Sequence, residues 1–319
     1  MQDFMEPKFV STNGIRMAVY EQGAGMPIVF CHGWPELAYS WRHQIPALAG
    51  AGFRAIAPDQ RGFGRTEQPA NITDYDIHHL TGDLIGMCDA LGIEKAVFCG
   101  HDWGGIITWQ LPLLHPGRVA GVIGLNTPFF KRAPIDPIAL FRKVYGEDMY
   151  IVWFQQPGVA EAVFDRDPAK VIRLLMRRNV PSLAEYDAMP AEKRRFEMKN
   201  MLDNNEQVLP GDPLLSEAEV AVFAENFTRT GFRGGINWYR NFTRNWGLME
   251  GVKERIDAPC LMIMAENDAV LRPGAADGME SVCPNLEKYL VRNCGHWTQQ
   301  EHPDEVNGVI IDWMKRHFK

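Results

Sequence analysis

The sequence predicts a doubly wound α/β fold, a mostly parallel sheet interrupted by a long helical insertion. Three observations carry this expectation. Short, nearly continuous apolar runs recur through the first part of the chain, as expected of strands covered on both faces of a parallel sheet. Amphipathic stretches separate them. From about Phe130 to Asn245 the strand-like runs stop, then resume near the C-terminus.

The elements follow in order. Ile28-Val29-Phe30-Cys31 ends at His32-Gly33-Trp34-Pro35, and Arg54-Ala55-Ile56-Ala57-Pro58 ends at Asp59-Gln60-Arg61-Gly62-Phe63-Gly64. Ile77 to Leu91 places Leu80, Leu84, Met87 and Cys88 at helical spacing. Ala96-Val97-Phe98-Cys99 runs into Gly100-His101-Asp102-Trp103-Gly104-Gly105, followed by the helix-compatible Ile106 to Leu114. Val119 to Leu125 ends at Asn126-Thr127-Pro128. The middle segment is charge-rich and broken by Pro157-Gly158, Pro168, Pro181, Pro190, Pro210-Gly211 and Gly234-Gly235, which reads as helices rather than more sheet. Cys260 to Met264 and Lys288 to Val291 read as strands, and Val306 to His317 as a closing helix. In such a sheet, ligands gather at the carboxyl ends of the strands.

Bulk composition narrows the function classes. The 319 residues suffice for one large core with an insertion, and 46% hydrophobic with 23% charged residues is ordinary for a globular chain. A net charge of −7 without a basic tract argues against a nucleic-acid partner. No apolar stretch has membrane-spanning length, and the first residues lack a signal-peptide plan. The six cysteines show no metal-like spacing. Cys31, Cys99 and Cys260 fall in apolar strand-like runs, so buried thiols in a cytoplasmic, reducing setting are expected.

A strand, a sharp Gly-flanked turn and a helix are the setting of a nucleophile elbow, and here its central residue is Asp102 rather than serine. A serine that attacked saturated carbon would form an inert ether. A carboxylate forms an alkyl ester, which water can reopen at the carboxyl carbon. Asp102 therefore points to displacement at sp³ carbon, an epoxide or a carbon–halogen bond. Such an ester needs a base to activate water and an acid to orient that base. His296, in the turn Cys294-Gly295-His296-Trp297, is the expected base, whereas His78, His79, His302 and His317 read as surface residues. His32 and His101 read as scaffold for their loops. For the acid, Asp268 and Glu266 compete in Ala265-Glu266-Asn267-Asp268; Asp268, at the turn's tip, is favoured. The other place where such an acid can stand, after the preceding strand, holds uncharged Asn126. The ester's oxyanion needs two donors, and the backbone N–H groups of Trp103 and Trp34 are expected to supply them. A plain β-turn is the alternative reading of His32-Gly33-Trp34-Pro35.

Taken together, His32-Gly33-Trp34-Pro35-Glu36, Ser40-Trp41-Arg42, Asp59 to Gly64, the Asp102 elbow and Cys294 to Trp297 resemble the α/β-hydrolase-fold epoxide hydrolases of the soluble type. The resemblance runs from roughly Phe9 to the C-terminus. It implies a hydrolase core over residues 1–129 and 246–319 and a helical cap over 130–245. It also implies two cap tyrosines that protonate the epoxide oxygen. Tyr150, in Tyr150-Ile151-Val152-Trp153-Phe154-Gln155 followed by Pro157-Gly158-Val159-Ala160-Glu161, matches the first motif; Tyr239, in Asn237-Trp238-Tyr239-Arg240-Asn241, matches the second. Trp153 stands where many relatives carry a further tyrosine.

Haloalkane dehalogenases share the elbow and are the alternative. They usually carry Glu or Asn where this chain has Trp34, and they lack the tyrosine pair. Fluoroacetate dehalogenases usually have arginine in place of Trp103. A non-enzymatic binding protein on this scaffold tends to lose the nucleophile or base, and both are present here. The expectation is thus an epoxide hydrolase working without cofactor or metal on a small apolar epoxide. Phe130, Trp153, Phe154 and Trp238 are expected to line its pocket, with Phe129, Phe164 and Trp246 as further aromatic candidates. The chain is compatible with a monomer or a homodimer.

Overall fold

A computed structural model describes residues 4–194 and 196–318. Among the described residues ten strands form in chain order: β1 Lys8–Thr12, β2 Ile15–Gln22, β3 Pro27–Cys31, β4 Arg54–Pro58, β5 Ala96–His101, β6 Val119–Leu125, β7 Arg177–Arg178, β8 Asp212–Pro213, β9 Cys260–Ala265 and β10 Leu286–Val291. Eight of them make one sheet in the order β1-β2-β4-β3-β5-β6-β9-β10. Every pair from β4 to β10 is parallel; β1–β2 and β2–β4 are antiparallel. The first hairpin, absent from the sequence reading, turns at Asn13 and Gly14, both at positive φ (43° and 78°), the backbone that a tight Asn-Gly turn adopts.

Side chains alternate between two apolar layers. Val29, Ile56, Phe98 and Val122 face one, with Leu84 and Met87 from α2 (Ile77–Ala90) and Ile107 and Leu111 from α3 (Trp103–Leu114). Phe30, Ala55, Cys99 and Ile123 face the other, against Ile45 and Leu48 from α1 (Gln44–Gly50) and Ile310 and Trp313 from the closing helix (Pro303–His317). Burial on both faces explains the unbroken apolar runs: every residue of β5 is buried.

Between β6 and β9 the chain adds no strand to this sheet. It forms α4 (Pro137–Tyr145), α5 (Tyr150–Trp153), α6 (Val159–Phe164), α7 (Pro168–Leu175), α8 (Leu183–Ala188), α9 (Met201–Asn204), α10 (Glu217–Thr230), α11 (Arg233–Arg240) and α12 (Phe242–Leu248), while β7 and β8 pair only with each other. Two short helices close the chain, α13 (Thr298–Glu301) and α14 (Pro303–His317). The inserted helices are tied to the loops at the carboxyl end of the sheet. Trp238 Nε1 donates to the Arg61 carbonyl at 3.1 Å, Trp297 Nε1 to that of Leu175 at 3.2 Å, and Arg42 pairs with Glu219 at 2.7 Å. Among the described residues, no helix is long and apolar enough to cross a membrane.

Candidate active site

Asp102 stands at the junction of β5 and α3 with φ 51° and ψ −123°, a conformation that non-glycine residues rarely adopt. Its neighbours must be small for the chain to turn this sharply. A Cβ on Gly104 would lie 1.9 Å from the Cys31 carbonyl oxygen, and one on Gly33 2.4 Å from the Asp102 Cβ. Thr127 Oγ1 and the Gly105 N–H both donate to the Asp102 carbonyl, at 2.8 and 2.9 Å, and pin the turn.

The carboxylate so presented has two differently served oxygens. Oδ1 accepts the Trp34 N–H at 2.8 Å, and the Trp103 N–H also engages the carboxyl. These are the two donors expected from the sequence. Oδ2 faces His296 Nε2 at 3.8 Å. Burial raises the carboxyl's pKa above the ordinary value, although His296, His101 and the two backbone N–H groups pull it down.

His296 follows β10 in a loop fixed by Glu301, which accepts the N–H groups of Gly295 and Trp297 at 3.1 and 3.0 Å. Its Nδ1 lies 2.9 Å from Asp268 Oδ2. Burial disfavours charge on the ring, but Asp268, then Asp102 and Glu36, outweigh it and lift the pKa to about 9. Asp268 is fully buried after β9. Its Oδ1 takes the N–H groups of Val270 and Leu271, each at 2.9 Å, and its Oδ2 takes Asn126 Nδ2 at 2.7 Å. Burial opposes its charge, yet His296 and these donors hold the carboxyl down at about 2. Glu266, the competing acid, points outward and pairs with Arg292 at 2.8 Å. His32 and His101 are scaffold, as expected. His32 Nε2 accepts the Gln60 N–H at 3.0 Å; His101 bridges the Glu36 carboxylate at 2.8 Å and the His296 carbonyl at 2.7 Å.

Tyr150 opens α5 and Tyr239 lies in the last turn of α11. Their rings meet edge to face at 5.7 Å and their hydroxyls interact. Burial, followed for Tyr150 by the charge on Asp102 and for Tyr239 by Tyr150 and then Asp102, raises both phenols above their ordinary range, so both stay protonated. The Tyr239 ring packs against Trp103 at 5.2 Å and Trp34 at 5.7 Å. The inserted helices thus set their tyrosines on two tryptophans whose backbone N–H groups engage Asp102.

Two cavities meet at Asp102, Tyr150 and Tyr239. The narrow one, about 50 Å³, reaches His296, Leu175, Met198 and Trp297. The wide one, about 530 Å³, passes Trp103, Phe242 and Trp246 to Phe130. Phe130 is half exposed there, as a pocket residue at the mouth. Trp153, Phe154 and Trp238, expected in the pocket, line neither cavity. All three are buried: Phe154 packs behind Tyr239 at 5.1 Å, Trp153 behind Phe154 at 5.7 Å, and Trp238 against Phe63 at 4.8 Å. Aromatics in a helical layer fill its own core as readily as a pocket, and composition does not separate the two.

Two contributors escaped the sequence reading. Glu36, fully buried, accepts from the Gly33 N–H at 2.7 Å, His101 Nδ1 at 2.8 Å and Gln299 Nε2 at 2.9 Å, so it ties the Trp34 loop to the elbow. Its signal was a carboxylate in an otherwise apolar turn motif. Asn126 was read only as lacking charge, whereas its amide is a donor to Asp268. Among the described residues, no group of three or more His, Cys, Asp or Glu side chains is placed to hold a metal ion.

Comparison with known proteins agrees with this fold. A family model described as the alpha/beta hydrolase fold matches residues 26–303. Epoxide hydrolase A of Mycobacterium tuberculosis is 42% identical over 314 residues, covering 96% of each chain. Bifunctional epoxide hydrolase 2 of Mus musculus is 40% identical over 95% of this chain, which spans only 54% of that longer protein. The crystal structure of epoxide hydrolase A from Mycobacterium thermoresistibile superposes with a TM-score of 0.86 at 41% identity, covering 97% of this chain and 98% of that one.

Proposed function

This chain belongs to the α/β-hydrolase-fold epoxide hydrolases, and from that membership we propose that it opens epoxides to vicinal diols through an alkyl ester on Asp102. Asp102 Oδ2, the oxygen that the Trp34 N–H leaves free, attacks a ring carbon as the carbon–oxygen bond breaks. The leaving oxygen takes a proton from Tyr150 or Tyr239, giving a hydroxyalkyl ester. A poor leaving group of this kind needs such donors. Water then adds to the Asp102 carboxyl carbon and gives its proton to His296 Nε2. Charge gathers on Oδ1, which already accepts the Trp34 N–H, with the Trp103 N–H engaging the same carboxyl. Collapse expels the diol oxygen, which takes the proton back from His296, and the proton left on the regenerated Asp102 carboxyl returns to the phenolate.

The electrostatics support this order. With Asp102 ionised, His296 sits beside two carboxylates and favours the charged ring. Esterification removes one of those charges, so the ring becomes a base at the moment a base is needed. The observation that carries the reading is the pair of protonated phenols lining the same cavities as Asp102. A departing halide needs N–H donors and no acid; the Trp103 indole N–H could serve it, but the tyrosine pair would then have no task, which makes dehalogenation the weaker reading. The core is assigned to residues 1–129 and 246–319 and the cap to 130–245; the second junction falls within α12. Six buried free cysteines support a reducing compartment.

The test is to assay styrene oxide, cyclohexene oxide and a bromoalkane side by side. Diol from an epoxide with no halide release is expected. Halide release without diol would overturn the proposal in favour of a dehalogenase, and turnover of none would leave it unsupported for these substrate types.

A further inference from the structure

The two motifs that carry the tyrosines also carry Gln155, Glu161 and Arg240, whose side chains link the segment from α5 to α6 with α11. Helix α5 is a single turn, so its carbonyls have few partners within the helix. Gln155 Nε2 donates to the Ile151 carbonyl at 2.8 Å and to the Tyr239 carbonyl at 3.0 Å. One amide therefore joins the residue after the first tyrosine to the backbone of the second. Arg240 makes the reciprocal connection. Its Nε donates to the Phe154 carbonyl at 2.8 Å and its Nη2 to that of Gln156 at 3.0 Å. Glu161 fixes the guanidinium through two bonds of 2.6 and 2.9 Å, and Asn237 Oδ1 accepts a third at 2.9 Å. This pair is nearly dry, with side chains 4% and 11% exposed, so the charged bonds hold their geometry better than a surface pair would.

We infer that Gln155 and the Arg240–Glu161 pair form a clamp that sets the Tyr150 and Tyr239 hydroxyls relative to each other for ring opening. These three are positioning residues. The inference rests on the proposed role of the tyrosines as proton donors. The clamp spans only inserted helices, whereas His296 and Asp268 hang from loops after β10 and β9. Its loss should therefore slow ester formation and spare ester hydrolysis, a split that general loosening of the fold would not produce.

The test follows both half-reactions by rapid quench and intact mass, using whichever of styrene oxide and cyclohexene oxide the wild type turns over faster. Gln155→Leu removes both N–H donors at similar size, and Arg240→Lys keeps the charge while losing the fork. Each is expected to form the ester about ten- to a hundredfold more slowly, since small misplacements of reacting groups cost this much. Ester decay should stay within about twofold of wild type. Should Gln155→Leu fail to fold, Gln155→Met gives the same reading. Wild-type ester formation, or an equal loss in both half-reactions, would overturn the clamp. Tyr150→Phe and Tyr239→Phe run in parallel separate the two ideas. If they are slow while the clamp variants are not, only the clamp falls; if they too react at the wild-type rate, the tyrosine reading falls first.

Discussion

His296 Nε2 stands 3.8 Å from Asp102 Oδ2, too far for a good hydrogen bond and suited to a water approaching the carboxyl carbon between them. In the proposed mechanism the spacing separates two tasks: Asp102 is left free to attack, and His296 is held back for the water that follows.

Replacing the base should therefore stop the reaction halfway. His296→Gln is expected to accumulate protein carrying the added mass of the epoxide on the peptide that contains Asp102. Mass spectrometry after incubation with substrate checks this; only unmodified protein would count against the assigned base.

Under the proposed mechanism the phenols act in the first half alone. Tyr150→Phe and Tyr239→Phe should each slow ester formation by about ten- to a thousandfold, and the double variant should nearly abolish it, within the range general acids supply. Stopped-flow or quench kinetics would show the decay of any ester formed to be unchanged.

Asp268 orients His296 through the 2.9 Å bond to Nδ1. Asp268→Asn should retain the fold and lower the ester-hydrolysis rate by roughly a thousandfold or more, as loss of the orienting acid does in other triads. Asn126→Ala, which removes a donor from that buried carboxylate, should cost about 1–3 kcal/mol of stability. Urea denaturation measures it.

The same ion pair makes stability depend on pH. The folded His296 pKa of about 9 exceeds its ordinary 6.5, so its contribution is complete below 6.5 and is lost as pH rises through about 9. Asp268, held at about 2 against an ordinary 3.8, contributes above 3.8 and loses this as pH falls through about 2. Denaturation midpoints of the wild type should fall across the alkaline window, and His296→Gln should flatten that decline.

Much of this arrangement was legible in the residues. Arg54–Pro58 and Val119–Leu125 are strands with the bounds their apolar runs suggested, because two-sided burial keeps their buried positions apolar. Asp102, His296 and Asp268 were legible because chemistry restricts which residue types can stand at strand-end turns. The first hairpin was overlooked, although Asn13-Gly14 marks it, since β1 and β2 lie on the antiparallel margin and carry polar residues. What could not be read was direction. Trp153 and Trp238 face the packed interior while Leu175 and Met198 face the cavity, and both environments select the same apolar types. Glu36, Asn126 and Gln155 act through hydrogen bonds to residues distant in sequence, which spacing alone does not reveal.

Covalent attack by Asp102 is tested most directly by one turnover in heavy-oxygen water with enzyme in excess over epoxide. If the carboxylate attacks carbon, the diol carries ordinary oxygen taken from Asp102, and the heavy atom appears in the Asp102 peptide. Heavy oxygen in the diol, with that peptide unlabelled, would mean that water opens the ring directly and would contradict the alkyl-ester mechanism.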